Sequence, residues 1–444
     1  MLAHRHRDPG SETIDGRYVP CVDRDDAQRV LAPKPIPDLA AYLAGGGGHG
    51  LEGARKLGGP AVVEIVRRSG LRGRGGAGFP TGIKWKGVAA DRQPRAVVCN
   101  AAEGEPGTSK DRTILSRDPY RVIEGMAIAA VAVGAATAYL GIKARFTQPI
   151  ARLDQAAREM AAAGLLEGID FRVVEGPDDY LLGVETALLE VIEGADPLPR
   201  MVPPYIQGLA TPDGTEYATV VNNVETLANV PGIVSHGADW FRSTGTERSP
   251  GTMVFTISGD VKTPAVVELP MGTPLSFLIY GPGGGMRSEH PPKLIVSGAS
   301  NRPLTSDEID TPMSFEGMEA IGSGLGSGGF IVYDDTTCAV EVALLLSAFL
   351  QKGSCGQCPP CKLGTTAYMN GFGLLMEGRA SLDDVDDLTA WLTRVTDANR
   401  CGLGAGQREL ARGILGNFAD DVAACLEGRC QGHRGLALPP PVDQ

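Results

Sequence analysis

The sequence predicts an α/β protein in three parts: a parallel sheet covered by helices, a small β-grasp-like module and a C-terminal helical bundle. Three observations carry this. Between residues 95 and 193 short apolar runs alternate with helical patterns, which is how successive βαβ units read. At Ser249-Pro250-Gly251 the composition shifts and two short alternating runs follow. From Asp334 onward the apolar spacing turns helical. The 444 residues exceed one ordinary core, in keeping with several domains.

Residues 1–35 mix charge, Gly and Pro and read as a partly extended N-terminal arm. The first domain is expected over 36–248. It opens with a short helix at 36–44, a glycine break at 45–48 and a helix at 61–69. The run 70–85 comes next, with five glycines between Gly73 and Gly82 and basic groups on both sides. A backbone without side chains can approach a phosphate closely with its N–H groups turned inward, and Lys84 adds a point charge. Phe79 and Trp85 offer flat faces to a ring system. A glycine-rich surface turn is the competing reading.

A strand at 95–100 ends in the polar loop 101–107. Acidic and amide groups at a strand end are where open α/β sheets hold ligands. Then come a helix at 119–134, a strand at 136–143, a helix at 149–163, a strand at 170–175 and a helix at 184–193. The uncharged run 125–142 just reaches membrane-spanning length; its Ala/Gly content reads as a buried helix passing into a strand near Thr137. A proline-rich loop at 197–204 precedes 219–230, which carries the Asn222-Asn223 pair.

The second domain, 249–334, has a strand at 252–258 that pairs with 265–269, and a helix from Thr273-Pro274. The glycine-rich loops 281–285 and 322–329 follow, the second leading into a last strand at 330–333. In the third, 335–431, Asp335-Thr336 are expected to cap a helix at 339–350, and Ser381 a helix with Leu382, Val385, Leu388, Trp391 and Leu392 on one face. A long helix at 408–426 ends the bundle, and 432–444 reads as a loose tail.

Net charge is −12, which argues against a nucleic-acid partner. The N-terminus lacks the apolar core of a signal peptide. The chain is therefore expected to be cytoplasmic, without a membrane span, either free or docked peripherally on the cytoplasmic face of a membrane complex. Nine cysteines, an odd count, argue against a disulfide framework. Cys355-Gly-Gln-Cys358-Pro-Pro-Cys361 with distant Cys401 is the strongest chemical signal. Four thiolates suit zinc or an iron–sulfur cluster, and the three-plus-one arrangement favours [4Fe–4S]. Cys21, Cys99 and Cys338 read as buried thiols. Cys425 and Cys430 are a possible second metal arm and stay unassigned.

Several separated motifs agree on a resemblance. They are Gly73-Arg-Gly-Gly-Ala-Gly-Phe-Pro-Thr-Gly-Ile-Lys-Trp85, Cys99-Asn-Ala-Ala-Glu-Gly-Glu-Pro-Gly-Thr-Ser-Lys-Asp-Arg112, Gly183-Val-Glu-Thr-Ala-Leu-Leu-Glu190, Val221-Asn-Asn-Val-Glu-Thr-Leu-Ala228, Gly322-Ser-Gly-Leu-Gly-Ser-Gly-Gly329 and Ser354-Cys-Gly-Gln-Cys-Pro-Pro-Cys361. Over residues 40–430 the chain resembles the NADH-binding flavoprotein (F) subunits of bacterial NADH:quinone oxidoreductase, respiratory complex I, and their hydrogenase and formate dehydrogenase relatives. The resemblance implies a Rossmann-like FMN-binding domain, a ubiquitin-like (SLBB-type, β-grasp) domain and a helical domain holding a [4Fe–4S] cluster. It implies that NADH passes hydride to FMN and that electrons leave singly through the cluster.

By that resemblance Gly73, Gly75, Gly76, Gly78, Lys84, Asn100, Glu103, Gly183, Asn222, Asn223 and Thr226 are cofactor contacts. Phe79, Glu105, Glu185 and Tyr205 belong to the nicotinamide-nucleotide side, and Cys355, Cys358, Cys361 and Cys401 are cluster ligands. No side chain is expected as a general acid or base. Separate redox subunits, a [2Fe–2S] protein or a ferredoxin, are the expected partners. The chain departs from the family pattern at Gly87, Ala102, Ser109, Val184 and Val202, which thins the lining on the dinucleotide side. An electron-transfer module with a donor or acceptor other than NADH, such as ferredoxin, is the alternative function. A docking subunit without cofactors is a third, opposed by the intact cysteines and Lys84.

Overall fold

The computed structural model describes residues 28–91, 94–211 and 214–442, together with the backbone of two short strands, β1 (Ser11–Ile14) and β2 (Arg17–Pro20), which pair antiparallel. Cys21 and most of the N-terminal arm lie outside the described residues.

The first sheet contains β3 (Arg95–Ala101), β4 (Thr137–Lys143), β5 (Asp170–Gly176), β6 (Leu209–Ala210) and β7 (Glu216–Asn223), in the order β5-β4-β3-β7-β6. All neighbours run parallel except β6. Helices cover both faces, so the central strands are apolar on both sides: Ala96, Val97 and Val98 of β3 and Val220 and Val221 of β7 are buried. Chain order runs outward from β3 through β4 to β5, whereas β7 joins on the opposite side of β3. This reversal opens a crevice at the carboxyl ends of β3 and β7, the usual ligand position in such sheets. Register sets Cys99 opposite Asn222 and Asn100 opposite Asn223 at that edge.

The uncharged run forms the Pro119–Val133 helix followed by β4, as expected. The helix is buried almost throughout, because Gly125 lets it lie against the Val224–His236 helix; a Cβ there would stand 2.1 Å from the Leu227 carbonyl oxygen. Among the described residues no helix is long and apolar enough to cross a membrane.

The second sheet contains β8 (Thr252–Gly259), β9 (Ala265–Pro270), β10 (Pro292–Val296), β11 (Leu304–Thr305) and β12 (Gly329–Asp334), ordered β11-β10-β12-β8-β9. A β8–β9 hairpin and a central parallel β8–β12 pair pack against the Leu275–Tyr280 helix. Phe255, Ile257, Leu278, Ile279 and Phe330 form its core, which is a β-grasp arrangement.

The helices Ala339–Gly353, Pro359–Met376, Leu382–Arg394, Leu403–Asn417 and Ala419–Leu426 build the C-terminal bundle around Leu346, Tyr368, Phe372, Leu410 and Ile414. Ser381 caps the third of these, in a capping box with Asp384. Two expectations need correction. Asp335-Thr336 do not cap the first helix: Cys338 is its N-cap residue, and the Ala339 N–H donates to Asp421 Oδ2 at 2.6 Å. The expected single helix to Leu426 breaks at Phe418, where φ is −125° and ψ is 36°. Several helices are not expected from the sequence, among them His49–Leu57, Thr81–Ala89, Lys110–Arg117 and Pro359–Met376.

The segment after Gly432, read from the sequence as loose, lacks helix and strand but is held at several points. Arg434 pairs with Asp260 at 2.7 Å and Asp334 at 3.2 Å. Leu436 N–H donates to Glu341 Oε1 at 2.7 Å, and Val442 N–H to Ser109 Oγ at 3.1 Å.

Candidate functional site

A cavity of about 770 Å³ opens where β3 and β7 end. Its floor is the glycine run. Gly76 and Gly78 have φ of +136° and +63°, values that favour glycine, and a Cβ at Gly78 would collide with the Phe315 ring at 2.4 Å. Arg74 anchors the run: its N–H donates to Thr226 Oγ1 at 2.8 Å, and its buried guanidinium reaches the Pro250 and Thr252 carbonyls at 3.0 and 2.9 Å. Burial lowers the Arg74 pKa to about 10, Glu225 working the other way. The loop is thereby tied to the start of β8.

Lys84 stands on the first turn of the Thr81–Ala89 helix rather than in a loop. Its Nζ reaches Glu185 Oε1 at 2.5 Å and the Val221 carbonyl at 3.0 Å. Trp85, expected to offer a flat face to a ring system, is instead fully buried and does not line the cavity, its indole N–H donating to Asn222 Oδ1 at 2.7 Å. It supports the Asn pair from behind. Asn223 is fixed from a third direction: Lys110 Nζ donates to its Oδ1 at 3.0 Å, and its Nδ2 donates to Asp111 Oδ2 at 2.6 Å. Burial works against the Lys110 charge, but Asp111 and Glu225, at 2.7 and 2.9 Å, outweigh it and hold its pKa above the usual value.

The acidic loop supplies the opposite wall. Glu103 accepts from the Asp111 N–H at 2.9 Å and pairs with Arg112 at 2.8 Å. Burial and then repulsion from Asp111 raise its pKa, against the pull of Arg112. Glu105 accepts from the Ala299 N–H at 2.5 Å and the Tyr180 hydroxyl at 2.9 Å, and burial likewise raises its pKa.

Gly73, Gly75, Gly76, Gly78, Phe79, Lys84, Asn100, Glu103, Glu105, Gly183, Glu185, Asn222, Asn223 and Thr226 all line this one cavity. Tyr205 does not. It is 62% exposed on the proline-rich loop, which Arg200 ties back to Glu190 and Glu193 and which turns at Pro203–Ile206. Ser297, Ser300, Asn301 and the Gly324–Ser327 stretch form a further wall from the β-grasp domain that sequence reasoning misses. The repeated glycines of 322–329 are the one signal that could have pointed to it.

Cys355, Cys358, Cys361 and Cys401 ring a second, small cavity. The first three lie at the start of the Pro359–Met376 helix and the fourth just before Leu403–Asn417. N–H donors face the sulfurs: Gln357 Nε2 lies 3.5 Å from Cys355 Sγ and the Arg400 N–H 3.5 Å from Cys358 Sγ. Burial, with Cys361, Cys355 and Cys358 close by, pushes Cys401 up to about 11. Thiols gathered this way favour a bound cationic centre that compensates their charge. Leu181 and Leu403 line both cavities, so one wall separates the glycine-floored crevice from the thiols.

Comparisons with known proteins agree with this layout. The family described as the Nuo51 FMN-binding domain matches residues 66–232, the SLBB domain 254–297, and the NADH-ubiquinone oxidoreductase-F iron-sulfur binding region 341–425. The NADH-quinone oxidoreductase F 2 subunit of Rhizobium meliloti (strain 1021) is 40% identical over 90% of this chain and 97% of its own length. The NADP-reducing hydrogenase subunit HndC of Solidesulfovibrio fructosivorans is 36% identical, over 92% and 84%. Among solved structures, the NAD+-reducing [NiFe]-hydrogenase in the H2-reduced state superposes with a TM-score of 0.79 at 31% identity, covering 95% of this chain and 76% of that one.

Proposed function

The chain belongs to the family of NADH-quinone oxidoreductase F subunits and their hydrogenase relatives, and on that basis we propose that it is the electron-input component of a multi-subunit redox complex, oxidising NADH through FMN and a [4Fe–4S] cluster. The observation that carries this reading is the shared wall of Leu181 and Leu403 between the large cavity and the four thiols. Bound FMN would supply two-electron acceptance and one-electron release, chemistry that no side chain here offers.

The residues do the holding. With the Gly73 N–H held by the Phe79 carbonyl and the Arg74 N–H by Thr226, the backbone N–H groups of Gly75–Gly78 and the Lys84 ammonium suit an anionic phosphate. Asn222 and Asn223, locked from behind by Trp85 and Lys110, are preorganised amide partners for a planar heterocycle. Glu105 and Glu185, which line the same cavity, suit ribose or carboxamide donors of a dinucleotide. Phe79, half exposed and lining the same cavity, offers a stacking face. The acceptor is proposed to be a partner iron–sulfur protein, of [2Fe–2S] or ferredoxin type.

A second reading, with a donor other than NADH, has one observation in its favour. Ala102 and Val184 line the cavity where the family pattern has carboxylates, whereas Gly87, Ser109 and Val202, the other departures from that pattern, are not among its lining residues. Anaerobic purification with cluster reconstitution, followed by NADH addition, separates the two. Bleaching of the flavin absorbance supports the first; flavin that NADH leaves oxidised but reduced ferredoxin bleaches supports the second.

A further inference from the structure

Among the described residues, one group of candidate metal ligands closes to the dimensions of a single ion: Cys338, Cys425, Cys430 and His433, whose ligand atoms all lie within 4.8 Å of one another. It shares no residue with the four thiols beside Leu181. We propose that these four hold a structural zinc ion that fastens the C-terminal segment to the beginning of the helical bundle.

The distances suit zinc. Bonds of about 2.3 Å to sulfur and about 2.0–2.1 Å to nitrogen, in a tetrahedron, place sulfurs about 3.8 Å apart and sulfur about 3.6 Å from nitrogen. Cys338 Sγ lies 3.5 Å from Cys425 Sγ, and Cys425 Sγ lies 3.6 Å from His433 Nε2. The chemistry also suits it: three thiolates and one imidazole are a common zinc set, and four protein ligands leave no open coordination position for catalysis. An iron–sulfur cluster needs its ligands spread around a body of several atoms. This quartet is too tight for that.

The site is built from both ends of the bundle. Cys338 is the residue before the Ala339–Gly353 helix, Cys425 lies in the last turn of Ala419–Leu426, and Cys430 and His433 follow in the next loop. The loop is seated by its own backbone: Cys338 N–H donates to the Gly432 carbonyl at 3.0 Å. A Cβ at Gly432 would stand 2.9 Å from that nitrogen and 3.0 Å from the Thr336 carbonyl, so the approach requires glycine. Arg434, the neighbour of His433, is held by Asp260 and Asp334 of the β-grasp domain. Cys338, read from the sequence as an inert buried thiol, thereby becomes a ligand, and the unassigned Cys425 and Cys430 gain partners. A metal here closes a loop of roughly a hundred residues, which constrains the unfolded chain as a cross-link does.

The test is elemental analysis of the full-length protein, grown with zinc in the medium and with flavin and iron–sulfur cluster restored. The expected content is about one zinc per chain besides iron. Cys430→Ser and His433→Ala should each lower zinc at least about ten-fold at unchanged iron and flavin, whereas Cys401→Ser should lower iron and spare zinc. Zinc-free wild-type protein, or zinc undiminished in both variants, overturns the assignment. Because a variant can fail to fold, zinc-edge X-ray absorption on the unaltered protein gives an independent reading. A shell of three sulfurs near about 2.3 Å and one nitrogen near about 2.0 Å supports the site. An all-sulfur shell, which places zinc in the other cysteine set, or an oxygen-rich one, overturns it.

Discussion

Residue by residue, the site depends on buried charges whose partners are close and specific. Lys110 has no exposed side-chain surface and bridges Asp111, Glu225 and Asn223. Lys110→Met leaves two carboxylates without their cation, and we expect a loss of about 3–5 kcal/mol in denaturant unfolding. A loss under about 1 kcal/mol would show that the pair is not buried as described. Lys84→Ala should weaken FMN retention at least about ten-fold, read by flavin content after dialysis, because among the described residues it removes the one lysine that lines the cavity. Tyr205→Ala should leave the NADH Michaelis constant within about two-fold, since that side chain stands in solvent away from the cavity. Of the residues named from the sequence as cofactor or nucleotide contacts, all but Tyr205 share one cavity. Tyr205 could not be placed, because its loop position depends on Arg200 pairing with Glu190 and Glu193 on another element.

For helices and strands, legibility depended on periodicity. The β3, β4 and β5 strands and the Pro119–Val133 and Thr147–Ala162 helices announce themselves by alternating apolar runs, and Ser381 announces a helix by its cap. The Thr81–Ala89 helix does not. Gly82 and Gly87 lower its intrinsic preference, and burial of Thr81, Trp85 and Val88 overrides that preference in the folded chain. The cap of Ala339–Gly353 is equally hidden, since its acceptor, Asp421, is 82 positions away in sequence. Close helix packing can be tested directly. Gly125→Ala pushes a methyl against the Leu227 carbonyl and should lower stability by about 1–3 kcal/mol, measured as a shift in thermal midpoint. An unchanged midpoint would mean that the two helices separate freely.

Across the chain as a whole, four apolar clusters of the described residues are joined by polar ties that no local pattern reveals. Arg74 links the glycine run to β8, Glu105 links the acidic loop to Ala299, and Arg434 links the C-terminal segment to the β-grasp domain. Val442 returns to Ser109, a position where the family pattern has phenylalanine. The Arg74 and Glu105 ties fix two walls of the large cavity, and the proposed electron path depends on that cavity sharing Leu181 and Leu403 with the thiol cavity. Electrons entering at the glycine-floored crevice should reach the four cysteines behind Leu181 and Leu403. Electron paramagnetic resonance of the anaerobic, reconstituted protein, frozen after NADH addition, follows that transfer in wild type and Cys401→Ser. A reduced-cluster signal is expected in wild type and its loss in the variant, with flavin bleached in both. A reduced-cluster signal that persists in Cys401→Ser would contradict the path, as would wild-type flavin reduced by NADH beside a cluster left oxidised.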